Sequence, residues 1–229
     1  MINRRGRLCT QMSPIIDKSS LQIHAYDAIK EQILNKKLAS DILYSETKLA
    51  AELGISRTPM RESLRRLSQE GYITIIPSKG FMLRQLTEKD MLETIQMRCA
   101  IEGFCTHIVA DEINSKKTKK LLTTLDALTE TMTKSRNTKA ANDTFIAADH
   151  KFHIAIVSYV NNTEFNKAFQ QLMYLVHLTT SNALSVPGRI DSTLDEHKQY
   201  VVYLKDGNGD AAYNIMIKHL MMPLNLRIL

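Results

Sequence analysis

A change of period near residue 71 constrains this chain more than any other feature. Before it, apolar residues recur at helical spacing: Ala25, Tyr26, Ile29 and Ile33 in one segment, Leu49, Ala50 and Leu53 in a second, Met60, Leu64 and Leu67 in a third. Ser45 is placed to cap the second segment, Gly54 ends it, and Gly71 ends the third. The run Tyr72-Ile73-Thr74-Ile75-Ile76 is then β-branched and aromatic, Pro77-Ser78-Lys79-Gly80 supplies a turn, and Phe81-Met82-Leu83-Arg84 is extended again. Beyond Thr87 the helical period returns, with helices expected over 88–112, 117–136, 142–160, 164–184, 192–205 and 210–222 and Asp210 as the cap of the last.

Helix, three-residue turn, helix and hairpin follow one another in the order of a winged helix-turn-helix, whose second paired helix enters the DNA major groove. The expected fold is therefore mainly α: this winged unit with a short β-hairpin wing, then an antiparallel all-α bundle of six or seven helices. The expected divisions are a flexible N-terminal arm over 1–17, a DNA-binding domain over 18–85, and an all-helical domain over 86–229. Charge follows the same division. Residues 1–86 hold 14 Lys and Arg against 8 Asp and Glu, while residues 87–229 hold 16 of each, so the whole excess of +6 lies in the first part. Concentrated cations suit a polyanion, because each neutralised phosphate releases counterions.

On the third helix, Thr58, Arg61, Glu62, Arg65 and Gln69 share the side opposite Met60, Leu64 and Leu67. Arg57 projects from the N-terminal end beside Ser56, where free amides favour a phosphate. Arginine pairs bidentately with guanine edges, and Lys79 and Gly80 at the hairpin tip can follow the DNA backbone or minor groove. A solvated face would show the same arginine spacing, so the order of elements carries the argument.

No apolar stretch is long enough to span a bilayer, and the basic start lacks a following apolar core, so the chain is expected in the cytoplasm with no membrane partner. Cys9, Cys99 and Cys105 cannot pair completely and are not spaced as a metal knuckle, which argues against redox chemistry. In Asp149-His150-Lys151-Phe152-His153, positions 149 and 153 share a helix face and can chelate one ion. His197 and His219 lie on the last two expected helices. Each is by itself an ordinary core or surface residue, yet helices that point carboxylates and imidazoles inward are a known way for bundles to hold metals.

The stretch from Leu49-Ala50-Ala51-Glu52-Leu53-Gly54 through Ile55-Ser56-Arg57-Thr58-Pro59-Met60-Arg61-Glu62-Ser63-Leu64-Arg65-Arg66-Leu67 to Glu70-Gly71-Tyr72 resembles the core signature of GntR-family bacterial regulators. The resemblance implies that Arg57, Thr58 and Arg61 contact an operator, that Thr47 occupies a further contact position, and that Gly80 lies at the wing tip. The chain departs from the pattern at Thr47, where some relatives carry arginine, and at Ser40-Asp41, which replaces a usual Pro-Gly. Arg98-x-x-x-Glu102, Asp149-x-x-Phe152-His153, Glu196-His197 and His219-Leu220 resemble motifs of the FCD ligand-binding domain found in one subgroup. That resemblance implies that 86–229 is a ligand-binding and dimerisation domain, with metal ligation by Asp149, His153, His197 and His219. Three imidazoles and a carboxylate suit a divalent transition metal, zinc first, with nickel or manganese as alternatives.

A small organic acid completing the metal shell and clamped by Arg98 is the expected effector. The implied function is a homodimeric repressor of operator DNA. The competing readings are a metal-dependent hydrolase using the same four ligands, and an architectural DNA-binding dimer whose metal only staples helices. Against the enzyme, no further base or nucleophile motif is present.

Overall fold

The structure is a computed structural model and describes residues 18–35, 37–136 and 141–226. The expected arm over 1–17 lies outside the described residues. The chain divides into two compact units, Met1–Leu83 and Arg84–Leu229.

In the first unit, α1 (Lys18–Leu34) packs on α3 (Arg57–Gln69), with α2 (Glu46–Glu52) between them in sequence. Ala25, Tyr26, Ile29 and Ile33 of α1 are buried together with Met60, Leu64 and Leu67 of α3, the two stripes expected from their spacing. Each such side chain contributes about 1.5–3 kcal/mol when withdrawn from water. Ser63 adds a polar tie: it is fully buried, and its hydroxyl lies 2.7 Å from the Gln22 carbonyl of α1 and 2.8 Å from that of Pro59. Pro59 sits in the first turn of α3, where no intrahelical amide bond is lost.

The wing consists of β1 (Ile73–Ile76) and β2 (Gly80–Leu83), antiparallel, with Ile73 opposite Leu83 and Ile76 opposite Gly80. The turn between them is closed by the Lys79 amide donating to the Ile76 carbonyl at 3.1 Å. Pro77 precedes Ser78, whose φ is +60°, the pattern of a type II turn. Gly80 is required for a different reason. Tyr44 pairs with Phe81 as an added bridge, and a Cβ on Gly80, at φ +139°, would stand 2.0 Å from the Tyr44 carbonyl oxygen. Gly80→Ala should therefore destabilise this unit by more than about 2 kcal/mol, read as a lower denaturation midpoint at constant slope. An unchanged midpoint would mean that the bridge shifts without cost.

The second unit is a bundle of α4 (Glu88–Asp111), α5 (Lys116–Ser135), α6 (Ala141–Tyr159), α7 (Thr163–Leu184), α8 (Arg189–Lys205) and α9 (Gly209–Leu226). Helix α5 packs on α6, and α9 packs on both α4 and α8. Leu125, Met132, Phe145, Phe152, Ile156, Phe169, Leu194 and Tyr200 fill the shared core. Thr87 begins α4 with a capping box, accepting from the Asp90 amide while Asp90 accepts from its own.

Three local expectations are revised. Helix α8 starts at Arg189, three residues early, because Gly188 takes the N-cap at φ +80° with no capping side chain to announce it. Asn208 replaces Asp210 as the side chain at the start of α9, accepting from the Ala211 amide at 3.0 Å. Helix α9 also runs past Pro223 to Leu226. The inward face of α4 is polar at every fourth residue: Thr94, Arg98, Glu102 and Thr106 are all buried.

Candidate metal centre and nucleic-acid interface

On the winged unit, the residues of the expected face of α3 are exposed, Arg57, Thr58, Arg61, Glu62, Arg65 and Gln69, as is Arg66 beside them, which pairs with Glu70. Thr47, Arg57, Arg61, Arg65, Lys79 and Gly80 all border one groove of about 550 Å³ running between α2, α3 and the wing. Ser56 and Thr58 are exposed but do not border it. Ser56 caps α3 through its backbone position only, since its side chain makes no capping bond. A carboxylate that the sequence argument passed over also stands in this groove. Glu46, in the first turn of α2, pairs with Arg61 at 3.2 Å. Arg61 is two-thirds exposed, so the pair contributes little stability and chiefly decides where the guanidinium points.

In the bundle, α6 supplies Asp149 and His153 one turn apart, α8 supplies His197, and α9 supplies His219. All four are buried, and one ligand atom from each lies within 4.8 Å of the others. The orientation of the rings matters more than their proximity. His153 Nδ1 meets Glu102 Oε2 at 2.5 Å, His197 Nδ1 meets the Thr193 carbonyl at 2.7 Å, and His219 Nδ1 meets Glu196 Oε2 at 2.9 Å. An acceptor at Nδ1 fixes the proton there and leaves Nε2 as a lone pair, the arrangement by which outer partners orient metal-binding imidazoles.

With the three rings neutral in these tautomers, the cluster is arranged to receive a cation. His153 Nε2 and His197 Nε2 face each other at 3.3 Å, and Asp149 Oδ1 lies 3.3 Å from His197 Nε2 with no hydrogen-bond partner. Two lone pairs and a bare carboxylate oxygen repel one another in a dry interior. Two nitrogens bound about 2.0–2.1 Å from a tetrahedral zinc stand roughly 3.3 Å apart, so the residues fit such an ion.

Glu102 and Glu196 are the functional residues that spacing alone did not assign to a role. Burial acts to raise the Glu102 carboxyl, but Arg98, 2.7 Å away, and His153 outweigh it and hold it at about 2. Burial likewise opposes ionisation of Glu196, and His219 with Arg189, at 2.8 Å, brings it to about 2. Both therefore stay charged and able to accept from their histidines. The available signal was the carboxylate four residues after Arg98 and the one beside His197.

Burial drives the imidazoles of His197, to about 3, of His150, to about 4, and of His219 below their usual range, so these rings are neutral near pH 7. Burial also disfavours the charged form of His153, but the Glu102 charge overcomes it and raises that ring. The depressed histidines take up protons in the unfolded chain near pH 6.5 but not in the fold. Metal-free protein should therefore lose stability as pH falls below about 6.5. His153 acts with the opposite sign, losing its contribution as pH rises through its raised value. Thermal melting of chelator-treated protein from pH 7.5 to 5 should show a falling midpoint, and a rising one would contradict the neutral assignment.

A basic exposed helix on a winged unit, joined in one chain to a helical bundle with a buried Asp and His cluster, is the architecture of a DNA-binding regulator. Residues 21–83 match the model for bacterial regulatory proteins of the gntR family, and residues 93–221 match the FCD domain. The chain belongs to the GntR family of transcriptional regulators, in the group that carries an FCD domain. It is 26% identical over 194 residues to the uncharacterized HTH-type transcriptional regulator YdhC of Bacillus subtilis (strain 168), covering 85% of each chain. It is 27% identical over 212 residues to the gluconate operon transcriptional repressor of Bacillus licheniformis, covering 90% of this chain and 82% of that one. The crystal structure of a GntR regulator from Rhodococcus sp. RHA1 superposes with a TM-score of 0.75 at 18% identity, covering 91% of this chain and 97% of that one. The likeness in fold thus extends over both units. Among the described residues, no helix is long and apolar enough to cross a membrane.

Proposed function

We propose that this regulator is a repressor whose operator affinity is controlled by a small carboxylate bound beside a divalent transition metal. The observation that carries the reading is the set of three Nδ1 contacts that leave three imidazole lone pairs beside the bare Asp149 oxygen. Asp149, His153, His197 and His219 would hold the ion, zinc before nickel or manganese. The ion would supply a Lewis-acidic centre for an anionic ligand. Arg98 is buried, keeps Nη2 without a partner, and borders a cavity shared with Asp149 and His219, which places a cationic donor beside that position.

The DNA-reading role belongs to residues 18–85, through Thr47, Ser56, Arg57, Thr58, Arg61, Arg65, Lys79 and Gly80. Sensing and homodimerisation belong to 86–229. Two heads in a cytoplasmic dimer would read a two-fold operator. One relative is a repressor of a gluconate operon and another of a D-xylose utilization operon, so an acid belongs among the first ligands to try. Linkage demands that an effector which weakens operator binding is itself bound less tightly by the operator complex, typically by 5- to 150-fold.

The test begins with elemental analysis of tag-free protein. Operator fragments are then selected on the full chain, and their affinity is measured with and without each of a panel of small acids. Near-stoichiometric metal and a shifted affinity with at least one acid support the reading. Metal present but no acid response would leave the ion as a structural staple, and absence of metal after reloading would remove the site.

A further inference from the structure

The cavity beside the metal-ligand cluster has a volume of only about 30 Å³, room for one water molecule. Six buried polar atoms around it lack partners: Arg98 Nη2, Arg189 Nη1, Asp149 Oδ1 and the hydroxyls of Thr94, Thr179 and Thr193. Other threonines of the bundle are bonded within their own helices: Thr106, Thr123, Thr124, Thr129, Thr131 and Thr133 each donate to the carbonyl four residues back. Among the described residues, the buried threonine hydroxyls without a partner are those of Thr94, Thr179 and Thr193, and all three border the cavity.

Arg189 stands at a boundary. It borders this inner cavity and also an outer groove of about 450 Å³ along α8 and α9, which Glu196, Gln199 and Lys218 border too. Its Nη2 is tied to Glu196 at 2.8 Å while Nη1 stays free. Its backbone follows Gly188, whose φ of +80° starts α8 without a side-chain cap.

Charge selects among anions. Arg98 and Arg189 oppose Glu102, Glu196 and Asp149, leaving one net negative charge with the histidines neutral. A divalent ion turns that into one net positive charge. A buried site is least costly when neutral, so it takes a monoanion in preference to a dianion. Hydroxyls that can both donate and accept are matched by hydroxyls on a ligand.

Building on the proposed acid-sensing function, we propose that Arg189 is a second acid-binding residue and the latch between groove and cavity, and that the ligand is a hydroxylated monocarboxylic acid. In the closed state Arg189 is held by Glu196. An acid arriving along the outer groove engages the free Nη1 and draws the guanidinium from Glu196. That movement opens the narrow cavity to the ligand's hydroxyls, while Glu196 keeps its hold on His219.

Calorimetric titration of zinc-loaded full-length protein tests this with D-gluconate and L-lactate, with hexanoate and propionate as their unhydroxylated counterparts, and with D-glucarate as a diacid. At least one hydroxylated monoacid should bind tenfold or more tightly than its counterpart, and D-gluconate more tightly than D-glucarate. Arg189→Gln should weaken that acid at least tenfold with zinc content unchanged. Arg189→Lys, which can keep the Glu196 pair but lacks the second nitrogen of the fork, should also weaken it and guards against a folding defect in the first variant. If either variant binds the acid as wild type does, or the unhydroxylated acids or the diacid bind equally well, this inference falls while acid sensing stands. If none of the five acids binds wild type, acid sensing falls as well.

Discussion

His197→Ala should leave the full chain unable to retain zinc through dialysis, with affinity lowered by more than about 100-fold, because losing only an outer partner of a metal-bound histidine already costs 10- to 100-fold. The expectation follows from the ring's surroundings. His197 is buried, its Nδ1 is committed to the Thr193 carbonyl, and its Nε2 lies 3.3 Å from both His153 Nε2 and Asp149 Oδ1. Glu102→Gln provides a graded comparison. An amide oxygen still accepts from His153 Nδ1 but loses the charge that orients it, so metal affinity should fall by less than in His197→Ala. Competition with a chromophoric chelator measures both, and circular dichroism reports folding. Wild-type affinity in His197→Ala would remove this residue from the ligand set.

The second large effect is expected on DNA. Arg61→Ala should weaken operator binding by about 10- to 100-fold at fixed salt if the guanidinium reads a base edge, the usual cost of one bidentate contact being about 1–3 kcal/mol. A phosphate contact would behave differently, weakening all sequences alike and reducing the salt dependence by about one counterion. Glu46 makes the distinction sharper. It borders the same groove and pairs with Arg61, so Glu46→Gln should raise affinity for unrelated DNA by removing a like charge from the phosphates. If Arg61→Ala bound the operator as tightly as wild type, base reading would have to rest on Arg57 and Arg65.

Residues whose role is set by local period were readable from the chain. Met60, Leu64 and Leu67 against Arg57, Arg61 and Arg65 define α3 and its exposed side without tertiary information. Asp149 and His153 are one helical turn apart, so their shared face was certain once α6 was recognised. What the sequence hid depends on contacts between distant segments. Thr94, Arg98, Glu102 and Thr106 form a polar stripe that by period alone would face water, and only the buried partners on α6 and α8 reverse it. The Thr193 carbonyl that orients His197 is anonymous, because every residue has one. Arg189 was placed before its helix because Gly188 offers no capping side chain. Helix α9 passes its expected end at 222 and runs through Pro223 to Leu226. Gly80 was readable as a special position from its turn, whereas the backbone of Tyr44 behind it, which also requires a glycine, was not.

That backbone contact ties the wing to the reading helices mechanically. Tyr44 exchanges two main-chain hydrogen bonds with Phe81, at 2.8 and 3.0 Å, and the next residue, Ser45, begins α2. A tilt of the hairpin is therefore transmitted through Ser45 and Glu46 to Thr47, like the short arm of a lever pinned at Tyr44. Changes at the wing tip and at Thr47 should then be strongly non-additive in a double-mutant cycle on operator affinity, although the two sites lie 33 positions apart in sequence.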